Sequence, residues 1–293
     1  MDAFWQLLRE RVVLFDGGLG TELLREGIFK GTCPEWWNVD RPEIVQAIHR
    51  RYFEAGSDVV STNSFGGSPI KLAEYGLESR CRELNLAAAR NALAVRPEGK
   101  FVAGSIGPTG KFLKPTGPLE EEDMARAFAV QADALSEGGV DFLLVETMYD
   151  LREALSALRG ARGVSSLPVF VTMTFGPTPR GYFTIVGNSV RQCVQELEKY
   201  GVPVVGANCS LDSAAMVGVV KEMRKETSLP LLVQANAGQP SITDEGTVVY
   251  SQDMEDYLRH IPLLIAEGAN LIGGCCGTDP EYIRRMAALV KPA

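Results

Sequence analysis

Histidine is scarce: the 293-residue chain has two, His49 and His260. Chemistry built on several imidazoles is therefore excluded at the outset. No stretch approaches the roughly 20 apolar residues of a membrane-spanning helix. Basic residues do not predominate either. The 29 Lys and Arg face 37 Asp and Glu, a formal net charge of −8, which argues against nucleic acid and anionic membranes as partners. Low-complexity segments and linkers are absent. The N-terminus, MDAFWQLLRERVVLFDGG, places acidic and basic residues before its apolar run and lacks a small-residue cleavage site, so it does not read as a signal peptide. Six cysteines in a chain of this size, without such a signal, point to a reducing compartment, and the cytoplasm is expected.

What is present has the makings of a large core, with 45% hydrophobic residues. One phrase recurs: a helical pattern ends in glycine and runs at once into an apolar strand, in EAGSDVVST, SEGGVDFLLVET, EKYGVPVVGANC and AEGANLIGGCC. Glycine just past a helix ends it in the left-handed conformation, and a β-branched run then starts a strand. Filling the gaps predicts strands near 12–15, 58–62, 101–106, 141–146, 168–174, 203–208, 231–235 and 270–274. Helical patterns follow near 40–55, 79–95, 120–138, 150–160, 188–200, 212–226, 253–267 and 279–290, the first after a long connection over 17–39. Eight strand–helix pairs without a compositional break predict an α/β fold, a single (β/α)8 TIM barrel forming one domain over 1–293. A doubly wound open sheet is the alternative.

In such a barrel, chemistry belongs at the C-terminal strand ends. Those ends read DGGLGTE, TNSF, GSIGPTG, ETMYD, TMTFG, GANCS, QANAGQP and GGCCGT, a concentration of acids, amides and thiols. Cys209 closes the sixth strand, and Cys275 with Cys276 closes the eighth, so the three thiols should crowd one rim. Three thiolates match the soft-ligand preference of Zn2+ and leave a fourth tetrahedral position open. The competing reading treats buried cysteine as a small hydrophobe, and Cys33, Cys81 and Cys193 receive it. A redox pair is less apt, since adjacent cysteines are not the CxxC arrangement. A zinc complex of three thiolates carries net negative charge. It is a poor activator of water and a good carrier for a substrate thiolate, so the chemistry implied is thiol alkylation. Hydrolysis is the weaker option, because no rim histidine waits to shuttle protons.

A thiol substrate needs handles. Asp16, Glu22 and Glu146 are carboxylates at the ends of strands 1 and 4, costly in an apolar barrel unless paired or used. One can bind a substrate ammonium, while the glycines Gly17, Gly18 and Gly20 let backbone N–H groups approach a substrate carboxylate. Asn208, beside Cys209, is counted with the substrate-binding group. Read otherwise, Asp16 and Glu22 are loop caps. DGGLGTEL fails the GxGxxG spacing of a dinucleotide loop, with Leu23 where the third glycine belongs.

Taken in order, DGGLGTEL, TNSFGG, SIGPTG, ETMYDL, GANCS, QANAGQP and GGCCGT resemble the motifs of homocysteine S-methyltransferases. The resemblance runs from about residue 10 to 290, and the pairing of GxNC with GGCC is its most specific part. It implies a (β/α)8 barrel with Zn2+ on Cys209, Cys275 and Cys276. The metal would bind and activate homocysteine thiolate for methylation to methionine. It also implies Asp16, the backbone at Gly17 and Gly18, and Glu146 around the amino-acid end. GPTG, NAG and GGCCGT look closest to the homocysteine module of cobalamin-dependent methionine synthase, which implies a methyl-corrinoid donor carried by a separate protein. No DxHxxG cobalamin signature occurs in the chain. The segment TFGPTPRGYFTIVGNS lacks the Gly-Thr of many methionine synthases, and Ala235 stands where proline is frequent. S-methylmethionine, S-adenosylmethionine and betaine are the alternative donors. For betaine, Trp36, Trp37, Phe65, Tyr149 and Phe175 would form a cation cage. Outside this class stand a zinc lyase or hydrolase and a non-catalytic thiol- or zinc-binding protein.

Overall fold

The computed structural model describes residues 1–29, 31–243 and 248–290. The expected single unit over 1–293 thus includes a few positions outside the described residues. Eight parallel strands form one sheet: β1 (Val13–Leu14), β2 (Val59–Ser61), β3 (Phe101–Ile106), β4 (Phe142–Met148), β5 (Val169–Met173), β6 (Val205–Asp212), β7 (Leu231–Asn236) and β8 (Ala269–Gly274). Their spatial order is β1-β8-β7-β6-β5-β4-β3-β2. The remaining gap between β1 and β2 is bridged by Asp58, whose backbone N–H donates to Leu14 O at 2.6 Å. The sheet is therefore a nearly closed (β/α)8 barrel, and all eight expected strands are present.

The recurring helix–glycine–strand phrase has a direct structural counterpart. Gly56, Gly139, Gly201 and Gly268 all have positive φ, the turn that lets each helix hand over to the next strand. The eight expected helical stretches are helical, with one break. Met254–Arg259 and Ile261–Ala266 are separate helices, divided at His260 where Pro262 cannot supply an N–H. No described helix is long and apolar enough to cross a membrane.

Several elements lie outside the predicted pattern. The N-terminal segment Asp2–Glu10 is a helix that caps the base of the barrel. Its Phe4 is fully buried, with ring centroids 5.2 Å from Phe101 and from Phe142 and 5.7 Å from Phe170. The long connection after β1 contains a helix, Leu19–Arg25, and a short helical turn, Trp37–Asp40. Two antiparallel hairpins rise from the mouth. Gly176–Thr178 pairs with Gly181–Phe183 after β5, and Pro240–Ile242 pairs with Val248–Tyr250 after β7.

Candidate metal and substrate site

Because the eight strands run parallel, their C-terminal ends converge on one rim. The sulfurs of Cys209, Cys275 and Cys276 all lie within 4.8 Å of one another, and Cys209 Sγ is 3.9 Å from Cys276 Sγ. Glycines make this approach feasible. A Cβ on Gly274 would meet Thr278 Oγ1 at 2.1 Å, and one on Gly273 would meet Phe15 Cβ at 2.7 Å. The turn after β8 is then pinned from several sides. Thr278 Oγ1 donates to Cys275 O at 2.8 Å, Cys275 N donates to Ala235 O at 2.8 Å, and Cys276 N donates to Asn236 Oδ1 at 3.2 Å. Cys33, Cys81 and Cys193 lie elsewhere, buried, with their thiols pushed up to about 12 by burial.

Opposite the thiols stand two acids. Asp16 is 1% exposed and accepts from Ser61 N at 2.7 Å and Ser61 Oγ at 3.3 Å. Burial, reinforced by Glu146, pushes its carboxyl up to about 8 despite those bonds. Glu146 accepts from Ser105 Oγ, and burial pushes it up to about 7. Among the described residues no cation contributes to either carboxyl. Two neighbouring buried carboxyls without a counter-ion have the chemistry to accept a cationic group. Among the thiols, hydrogen bonds from Cys275 and then Cys276 hold Cys209 well below the usual thiol range, while Cys275 and Cys276 are raised.

These groups line one cavity of about 510 Å³, within the range of small-molecule sites. Gly17, Gly18 and Gly20 line it as well. The Gly18 N–H, however, is already bound to Thr278 O at 3.0 Å. Glu22 and Asn208 are placed differently. The Glu22 carboxylate turns away from the cavity into ion pairs with Arg25 and Arg51, each at 3.0 Å. Asn208 is 1% exposed and its amide is engaged by Thr147 and Thr172. The aromatic cage is not assembled. Trp36 lies under the Arg80 guanidinium at 4.2 Å, Trp37 and Phe175 are buried in the core, and Tyr149 meets Phe112 edge-on at 5.9 Å. Only Phe65 of the five lines the cavity.

The structure adds residues that sequence reasoning passed over. Gln234 lines the cavity. Its Nε2 donates to Gly274 O at 3.3 Å, and its buried Oε1 has no partner. The signal was an amide, Gln234, inside the apolar strand LLVQAN. Ser61 and Ser105 orient the two acids. Tyr250 reaches the thiols from the second hairpin, its ring against Gly277, where a Cβ would sit 2.5 Å from Tyr250 Cγ. Both histidines stay outside: His49 is fully buried, and His260 Nδ1 is 3.0 Å from Ser213 Oγ.

The donor set fits a zinc ion. Tetrahedral Zn–S bonds of about 2.3 Å place sulfurs about 3.8 Å apart, close to the 3.9 Å between Cys209 and Cys276. Among the described residues no fourth cysteine, histidine or carboxylate joins the group, so one coordination position is left for a ligand.

Comparison with known proteins agrees with this geometry. A family model described as homocysteine S-methyltransferase matches residues 13–290. Methionine synthase of Mycobacterium leprae (strain TN) is 34% identical over 303 residues, covering 97% of this chain and 25% of that protein. Its counterpart in Mycobacterium tuberculosis (strain ATCC 25618 / H37Rv) is 33% identical with the same coverage. The chain thus spans about a quarter of the length of these curated relatives. The metallated form of the homocysteine methyltransferase MmuM from Escherichia coli superposes with a TM-score of 0.81 at 25% identity, covering 98% of this chain and 99% of that one.

Proposed function

Because the chain belongs to the homocysteine S-methyltransferase family, we propose that its barrel, as a single homocysteine-binding unit, methylates the thiol of homocysteine to give methionine. The observation that carries this reading is the placement of three converging thiols and two cation-free carboxyls in one cavity. Cys209, Cys275 and Cys276 would hold Zn2+. When bound, the ion supplies the positive charge that removes the acceptor's thiol proton and keeps its sulfur nucleophilic at neutral pH.

The rest is the work of the chain. Asp16 and Glu146 hold the substrate ammonium between them, kept in orientation by Ser61 and Ser105. Both carboxyls lose a proton most readily when a cation arrives, so an ammonium substrate selects their charged form. The unpartnered Oε1 of Gln234 accepts a further N–H from the same group. Gly17 and Gly18 keep the wall beside Asp16 free of side chains, so that the substrate carboxylate can lie against backbone. Six unpaired cysteines suit a reducing, cytoplasmic setting.

For the donor we favour a methyl-corrinoid carried by a separate protein. Identity to the methionine synthases supports it, as do the apolar side chains displayed on the loops of the mouth: Phe29, Ile185 and Ile242 are 81%, 81% and 72% exposed. A small-molecule donor is the second reading, favoured by a cavity larger than an amino acid alone requires. Betaine loses its main support with the dispersed cage. The deciding experiment supplies zinc-loaded protein and homocysteine with a panel of donors: methylated corrinoid protein, free methylcobalamin, S-methylmethionine, S-adenosylmethionine and betaine. Methionine formed with the corrinoid protein alone is the expected result. Methionine with none of the five overturns the proposal.

A further inference from the structure

Among the described residues, three that are not glycine occupy the left-handed region: Thr147 (φ 59°), Cys209 (φ 64°) and Ser210 (φ 60°). For Thr147, which is β-branched, this conformation is a clear outlier. All three lie where ladders shift register, between Val145 and Met148 on β4 and between Asn208 and Asp212 on β6. Such bulges re-aim side chains. Here they turn Glu146 and Cys209 toward the same cavity from strands separated by β5.

One side chain spans that gap. Asn208 Oδ1 accepts from Thr147 N at 2.8 Å and from Thr172 Oγ1 on β5 at 2.7 Å. Asn208 Nδ2 donates to Thr147 Oγ1 at 2.7 Å and lies 3.4 Å from Glu146 Oε2 and 4.0 Å from Cys275 Sγ. The amide has little left to offer a ligand: its oxygen holds two donors, and its remaining N–H faces the acid and the thiol.

We infer that Asn208 is a positioning residue, a bracket between β4, β5 and β6 that holds the ammonium-binding Glu146 and the thiol of Cys209 at one fixed separation. The inference rests on the function proposed above for the substrate end, and on the thiols' capacity for metal at the other. Thr147 takes its unfavourable backbone conformation because both its N–H and its hydroxyl are held by the same amide. Without that amide, Thr147 would relax toward ordinary extended backbone. Glu146 would swing with it, and Cys209, next in sequence to Asn208, would lose its anchor. A bracket of this kind sets how far a substrate's ammonium sits from its sulfur, and so selects the length of the amino-acid thiol.

The test measures both ends without relying on turnover. Metal-free chain is titrated with Co2+, whose thiolate absorption reports on the three sulfurs. Zn2+ affinity is read by chelator competition, and homocysteine binding to zinc-loaded protein by calorimetry. Asn208→Ala should weaken Zn2+ by about 10–100-fold, the usual loss for a group that orients a ligand, alter the cobalt spectrum and weaken homocysteine as well. Glu146→Gln should weaken homocysteine alone. If Asn208→Ala lowers only the thermal midpoint and leaves the spectrum and both affinities unchanged, the bracket is merely structural and the inference fails. Should that variant not fold, the Thr147 pair decides. Thr147→Val, which loses the hydroxyl, must reproduce the losses, and Thr147→Ser, which keeps it, must not; equal behaviour of the two overturns the inference. Unaltered chain that binds Zn2+ but no homocysteine would defeat the proposed function, while the cobalt and zinc measurements still judge the bracket.

Discussion

At the base of the barrel the carboxylate of Asp58 is gripped by Arg11 at 2.7 Å and Lys100 at 2.9 Å, whereas Asp16 at the mouth, equally buried at 1% exposure, has Ser61 as donor and, among the described residues, no cation. The same contrast holds for the surroundings. Phe4, Phe101, Phe142 and Phe170 close the base with stacked and edge-on rings, while the mouth holds thiols, amides and a cavity. A buried charge that is paired and hydrogen-bonded is compensated within the fold, and removing one partner is what destabilises. A charge left without a counter-ion is a standing cost, and it is tolerated where a ligand will supply the missing charge. The base is arranged for stability and the mouth for binding.

Substitutions can break or sharpen that division. The largest effect should follow Cys209→Ala, Cys275→Ala or Cys276→Ala: methionine formation falls to background and bound zinc is lost, while circular dichroism shows an intact barrel. At the base, Phe4→Ala or Asp58→Ala should each cost about 3–5 kcal/mol in denaturant unfolding, with Zn2+ affinity unchanged. Asp16→Asn, which likewise removes a carboxyl charge but at the mouth, should leave stability within about 1 kcal/mol or raise it, while homocysteine affinity falls. If Asp16→Asn destabilised the barrel as much as Asp58→Ala, the contrast would be wrong. Glu146→Gln should weaken homocysteine by about 10–100-fold, the worth of one charge-assisted hydrogen bond at about 1.5–3 kcal/mol, without altering zinc content.

A smaller, pH-dependent effect comes from His49, away from both ends. Its ring nitrogens are buried without partners, and burial lowers it from 6.5 to about 4. Between those values the unfolded chain binds a proton that the folded chain refuses. The stability is therefore complete above pH 6.5 and is lost as pH falls toward 4. His49→Leu should remove that loss, so that the two chains diverge by about 2–3 kcal/mol between pH 7 and pH 4.5. Parallel unfolding curves across that range would refute the assignment.

Much of this was legible in the sequence, for physical reasons that can be named. Glycine at a helix end followed by a β-branched run leaves little conformational choice, so four strands were placed directly and the other four by the spacing between them. Strand direction then forced Cys209, Cys275 and Cys276 to one rim, and Asp16 and Glu146 with them. The helix Asp2–Glu10 was missed because its apolar face, Phe4, Leu7 and Leu8, is too short to show periodicity. The hairpins after β5 and β7 begin beyond the strand ends, where apolar patterning stops. Glu22 and Asn208 misled because composition tells that an acid or amide is near a strand end, not which neighbour it meets. Arg25 and Arg51 take the one, Thr147 and Thr172 the other. Trp36 and Trp37 looked like cage walls for the same reason.

The burial of Cys33, Cys81 and Cys193 has a practical consequence. These thiols are 4%, 2% and 0% exposed, whereas Cys209, Cys275 and Cys276 are half-buried, so alkylating reagents should pass the first three by in the folded protein. The other three sit in an open cavity. Native labelling should therefore count half of the chain's cysteines, and each metal ion loaded should hide its three together. Mass spectrometry of labelled protein would then read site occupancy directly, molecule by molecule, before any methyl donor is known.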